Sequence, residues 1–108
     1  MTAASDALAD RLRPLLPALA AKSMFGGVGF MLNGNMAIGT TAKGALLVRI
    51  DPAHQAEALA RPGAYEMHMG PRPMTGFIAV APETLADEAE LRGWVAYALT
   101  YAETLPPK

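Results

Sequence analysis

The sequence predicts an α+β fold, a two-layer α/β sandwich with a five-stranded, mainly antiparallel sheet and elements in the order α-β3-α-β2-α. Three observations predict it. Apolar residues recur at helical spacing near both ends of the chain and briefly in its middle. Between these segments lie short apolar runs bounded by glycine, asparagine and proline, the punctuation of strands and tight turns. With 108 residues, 52% hydrophobic and 18% charged, the chain suits one core and one domain spanning residues 1–108.

The first helix is predicted from Ala3 to Ala20, because Leu8, Leu12, Leu15, Leu16 and Leu19 recur at spacings of three and four. Pro14 falls inside that pattern and removes one backbone hydrogen bond, so a kink or a later start is expected there. Arg11 and Arg13 ahead of the apolar run Leu15 to Ala21 imitate an export signal. Pro14 and Pro17 precede and interrupt the run, and Asp6 and Asp10 lie among the bases, which favours an ordinary helix. No stretch approaches the roughly 20 apolar residues of a membrane span.

From Met24 onward the pattern is that of a hairpin. Asn33-Gly34 is the pair best able to hold positive φ in a two-residue type I′ turn, which sets Leu32 opposite Asn35 and Met31 opposite Met36. After a break at Thr40 to Gly44, Ala45 to Ile50 reads as a third, central strand. Asp51-Pro52 starts a short helix that ends by Pro62-Gly63 and packs Ala56 and Leu59 on the sheet. Tyr65 to Met69 and Gly76 to Ala81 are strands four and five, and Gly70, Pro71 and Pro73 mark a connecting turn or broken edge between them. The last helix opens on a capping box, Asp87 with Glu90, and presents Leu91, Trp94, Val95, Ala98, Ala102 and Leu105 as its apolar face. Helices at both ends are expected to cover one face of the sheet.

Composition narrows the chemistry. The absence of cysteine removes disulfides, thiolate metal sites and thiol nucleophiles, and fits a reducing cytoplasm, the expected location. Nine bases against ten acids give a formal charge of −1, without the basic excess that grips a phosphate backbone, so direct nucleic-acid binding is not expected. Gly26-Gly27-Val28-Gly29 lacks both the G-x-G-x-x-G frame and a Gly-Lys-Ser/Thr ending, and reads as a tight turn or bulge at a strand entry. Met67-His68-Met69 offers soft ligands for copper(I), but strand alternation divides them between two faces unless a bulge intervenes, and the methionines are assigned to adaptable core packing.

Neither Ser5 nor Ser23 lies in a nucleophile elbow that would use His54 or His68, and Asp51, Asp87, Glu88 and Glu90 lie at helix starts where the macrodipole explains them. No catalytic residue, cofactor or metal is therefore expected. The candidate contacts with a ligand or partner are Lys22, Phe25, Arg49 and Arg72. Arg49 interrupts an apolar strand, so it must pair with a carboxylate such as Glu66, reach a solvated edge, or present its fork to a ligand. Arg72 sits in a Pro-rich connection of the kind that often carries recognition, and Lys22 lies beside a strand. Phe25 is either core or a partner anchor. Tyr97 and Tyr101 flank the apolar face of the last helix.

Taken in order, Lys22-Ser23-Met24-Phe25-Gly26-Gly27-Val28-Gly29-Phe30, Asn33-Gly34-Asn35-Met36-Ala37, Arg72-Pro73-Met74-Thr75-Gly76 and Trp94-Val95 to Leu105-Pro106-Pro107-Lys108 resemble the N-terminal domain of the TfoX/Sxy family. The resemblance spans nearly the whole chain and implies the same α-β3-α-β2-α sandwich. Its named members regulate natural competence and carry a second, C-terminal domain; these 108 residues are expected to correspond to the first. For such a domain the resemblance implies a non-enzymatic regulatory or protein-interaction role, with a protein partner or self-association, and supplies no catalytic residues to carry over. Pro14 departs from the helix-compatible residue usual at that place. The alternative from another class is a small anionic ligand-binding or enzymatic domain using Arg49, Arg72 and Lys22 around one pocket.

Overall fold

A computed structural model describes residues 3–24, 26–69 and 71–107; Phe25 and Gly70 lie outside the described residues. Helix α1 spans Ala3–Leu12 and gives way to a 3₁₀ turn, Arg13–Leu15. Pro14 explains the stop, since it has no N–H to bond the preceding turn and its ring collides with the carbonyl four residues back. The leucine spacing nevertheless keeps its use: Leu16 is buried, and Leu15 and Leu19 pack against the core from beyond the end of α1.

Release from the helix frees Ala20–Met24 to form strand β1, which corrects the expected five-stranded sheet to six. The other strands are β2 (Gly27–Leu32), β3 (Asn35–Thr40), β4 (Leu46–Arg49), β5 (Ala64–Met69) and β6 (Arg72–Val80). Among the described residues they form one sheet in the order β1-β2-β3-β4-β6-β5, with every neighbouring pair antiparallel. The β2–β3 hairpin turns as expected: Asn33 and Gly34 have φ of 53° and 84°, Leu32 faces Asn35, and Met31 faces Met36. Beyond that pair a bulge shifts the register, so that Phe30 faces Ile38.

Asp51 caps the next segment by accepting from the Ala53 N–H at 3.0 Å, and Pro52–His54 forms a 3₁₀ turn leading into α2, Gln55–Leu59. The buried residue of α2 is Ala58, not Ala56, which is exposed. Four residues, Pro82–Leu85, form α3, and α4 runs Glu88–Ala102. Asp87 caps the helix as expected, but through the N–H of Ala89 and not that of Glu90, which a capping box would use. The Asp87 carboxylate accepts from the Ala89 N–H at 2.9 Å, while the Asp87 N–H donates to the Thr84 carbonyl at 3.3 Å, because α3 has already placed an acceptor there. Asp87→Ala should cost about 1 kcal/mol, measurable as a shift of the urea midpoint at constant slope.

Helices cover one face of the sheet: α1 lies on β2 and β3, α4 on β3 and β4, and α2 on β5 and β6. The core between the layers contains Leu8 and Leu12 from α1, Phe30, Ile38, Leu46, Val48, Ile78 and Val80 from the sheet, and Leu91, Trp94, Val95 and Ala98 from α4. A polar cluster joins them. Ser5 Oγ and Thr40 Oγ1 lie 2.7 Å apart, and Thr40 Oγ1 also accepts from the Val28 N–H at 3.0 Å. Arg11 reaches across the helical layer to the Leu85 carbonyl at 2.6 Å and to Glu88 at 3.8 Å.

Candidate functional site: an open groove on the sheet

Because side chains alternate along a strand, each residue that β4 turns toward the helices has a neighbour turned away. Leu46 and Val48 are fully buried in the core, whereas Leu47 and Arg49 are half-buried on the opposite face. The registers extend that face across all six strands. Lys22 faces Gly29, Gly29 faces Gly39, Gly39 faces Leu47, and Leu47 faces Ala79, which faces Tyr65. In the middle of this row the two glycines leave the backbone bare. A Cβ on Gly39 would come within 2.9 Å of the Val28 carbonyl oxygen, so the strands approach too closely there for a larger residue.

The next row toward one end of the sheet is bulky. Met31 pairs with Met36, and Arg49 pairs with Phe77 in the same direction along the registers. With Met67, His68 and Met74 these residues wall a groove of about 460 Å³ over the glycine floor. Val28, Thr40 and Thr41 also contribute to its lining. No helix covers it.

The groove revises the expected role of the methionines. Met31, Met36, Met67 and Met74 are half-buried in its lining, and no described methionine belongs to the buried core. The bulge between Glu66 and His68 breaks the alternation that would have divided Met67 from His68, and both reach the groove. His68 is already engaged, with Nε2 at 3.0 Å from the Glu66 carboxylate. Among the described residues no cluster of three or more His, Asp or Glu is arranged to hold a metal.

Arg49 is the candidate that the fold places in this site. Glu66, the carboxylate considered for it, is taken by His68, and the guanidinium instead stands over the Phe77 ring at 5.9 Å from its centroid. Among the described residues Arg49 makes no ion pair, and no carboxylate lines the groove. The other two bases are elsewhere. Lys22 is exposed on the edge strand β1, and Arg72 is exposed where β6 begins opposite Met69. The three-base pocket considered from the sequence is therefore not formed: two strands lie between β1 and β4, and Arg72 begins β6 well before Phe77, the residue that faces Arg49, so neither Lys22 nor Arg72 lines the groove. Phe25 lies outside the described residues.

A family model for the TfoX N-terminal domain matches residues 10–102. The chain belongs to that family. No curated protein and no solved structure matches it. In this TfoX-type domain the glycine-rich segment is fold-bearing and adjoins the site, since Gly29 pairs across β2 and β3 with Gly39, which lies in the groove lining beside Val28. Tyr97 and Tyr101, read from the sequence as a helix margin, line a separate depression with Asp51, His54 and Glu57. Arg61 stacks over Tyr97 at 4.3 Å and over Trp94 at 5.0 Å, tying the segment after α2 to α4. Among the described residues no helix is long and apolar enough to cross a membrane.

What hid the groove from sequence reading is that β4 and β6 are apolar on both faces. Periodicity marks a buried strand but does not say which face a helix covers. The available signal was Arg49, a base at the outward position of an apolar strand.

Proposed function

We propose that this TfoX-type domain is a non-enzymatic regulatory domain, like the N-terminal domain of competence regulators, and that it recognises a protein partner through the open face of its sheet. One observation carries the reading: the face without helices is a concave apolar surface set beside an arginine free of any ion pair among the described residues. Thioethers and an aromatic ring suit recognition, because methionine adapts its shape to what it meets and aromatic anchors concentrate binding energy. The absence of cysteine is compatible with action in the cytoplasm.

Leu47→Glu puts a charge at the centre of the face without touching the helical layer. Partner capture from the native lysate should fall at least about tenfold, while circular dichroism and thermal midpoint stay close to wild type. Equal capture by both proteins would place the contact elsewhere. A second reading, a small anionic ligand, is favoured by Arg49 standing in the groove lining over Phe77.

A further inference from the structure

The occupant of the groove can be read from its chemistry. Its volume of about 460 Å³ lies in the range of sites that hold small organic molecules. Walls of Met31, Met36, Met74 and Phe77 over a glycine floor offer an apolar body little besides dispersion contact and removal from water. The charge in the lining is one-sided. Arg49 is half-buried, backed by the Phe77 ring and without a carboxylate partner among the described residues, so its guanidinium fork still has donors to give. His68, the other ionisable side chain in the lining, already faces Glu66 at 3.0 Å.

We infer that the groove binds an amphiphilic monoanion of the medium-chain carboxylate class, with the carboxylate on Arg49 and the alkyl chain laid across Gly39 between the methionines. A planar carboxylate matches the guanidinium fork in a bidentate pair, and a partly dry setting strengthens that pair relative to water. A dianion would bring charge that no second base in the groove meets. A neutral hydrocarbon would leave Arg49 facing an apolar chain with its own hydration partly lost. The inference rests on the open face being a binding surface, but it requires no protein partner.

The full chain is titrated calorimetrically with octanoate, decanoate and dodecanoate, and with decanol and decyl phosphate as head-group controls. Affinity should rise about three- to fourfold per added methylene until the groove is filled, and decanoate should bind more tightly than either control. Arg49→Met should weaken decanoate binding at least about tenfold and leave decanol unchanged, with Arg49→Lys intermediate. Labelled methionine methyls identify the site independently of these variants: the Met31 and Met36 signals should move on decanoate addition to wild type. Decanoate and dodecanoate binding weaker than about 1 mM would overturn the inference, as would shifts confined to methyls outside the groove, or equal decanoate affinity in Arg49→Met. Ligand titration needs no partner and partner capture needs no added ligand, so failure of the ligand and failure of the partner reading are seen separately.

Discussion

Trp94→Ala should destabilise the domain by about 3–5 kcal/mol, a large share of the 5–15 kcal/mol that typically holds a domain folded. Trp94 is 1% exposed and heads the fully buried side chains of the core. Its ring meets Tyr97 edge-on at 5.7 Å and carries the Arg61 guanidinium at 5.0 Å, so its removal leaves a cavity and also loosens the segment after α2. The thermal midpoint should drop by at least about 15 °C, followed by far-ultraviolet circular dichroism because the variant has lost the chain's one tryptophan. Trp94→Phe keeps an aromatic ring and should lose less than half as much. A cost below about 1 kcal/mol for the alanine variant would remove Trp94 from the centre of the core.

Gly27→Ala should have an effect of similar order from the smallest possible addition. A Cβ at that position falls onto the Thr40 carbonyl oxygen, with the Thr40 carbonyl carbon at 2.8 Å and Oγ1 at 3.0 Å. The obstacle is mostly backbone, so no rotamer relieves it. Moving Thr40 away pulls its hydroxyl from Ser5 and from the Val28 N–H, two buried hydrogen-bonding groups. Overpacking and lost hydrogen bonding together should cost about 2–4 kcal/mol, read by urea unfolding and by faster amide exchange in β3. Gly93→Ala is the opposite control. Nothing lies within 4 Å of its added Cβ on the exposed side of α4, and a gain of about 0.5–1 kcal/mol is expected. If both variants lost stability equally, the close approach of Gly27 to Thr40 would not be the cause.

The parts of this fold legible in the sequence were those fixed by neighbouring residues. Asn33-Gly34 named its turn and register because few dipeptides tolerate two successive positive φ angles. Asp51 and Asp87 named their helix starts because a short side-chain acceptor serves the free N–H groups locally. The sixth strand was not legible, because the leucines continue at helical spacing past Pro14 and only three-dimensional packing shows that Leu16 reaches the core without helical backbone. The groove was harder still. It depends on β6 inserting between β4 and β5, and on a bulge that turns His68 toward the same face as Met67, neither of which a linear pattern records.

The alternation along β4 has an evolutionary corollary. Leu46 and Val48 are buried in the chain's own core, whereas Leu47 and Arg49 line the groove that we propose as a binding surface. Substitutions tolerated at one pair need not be tolerated at the other, so if the proposed recognition holds, the groove can change while the interior is kept. A saturation scan of these four positions should separate into two interleaved profiles, heat resistance at 46 and 48 and recognition at 47 and 49. On the proposed reading, the strand would let new specificity arise without renegotiating the fold.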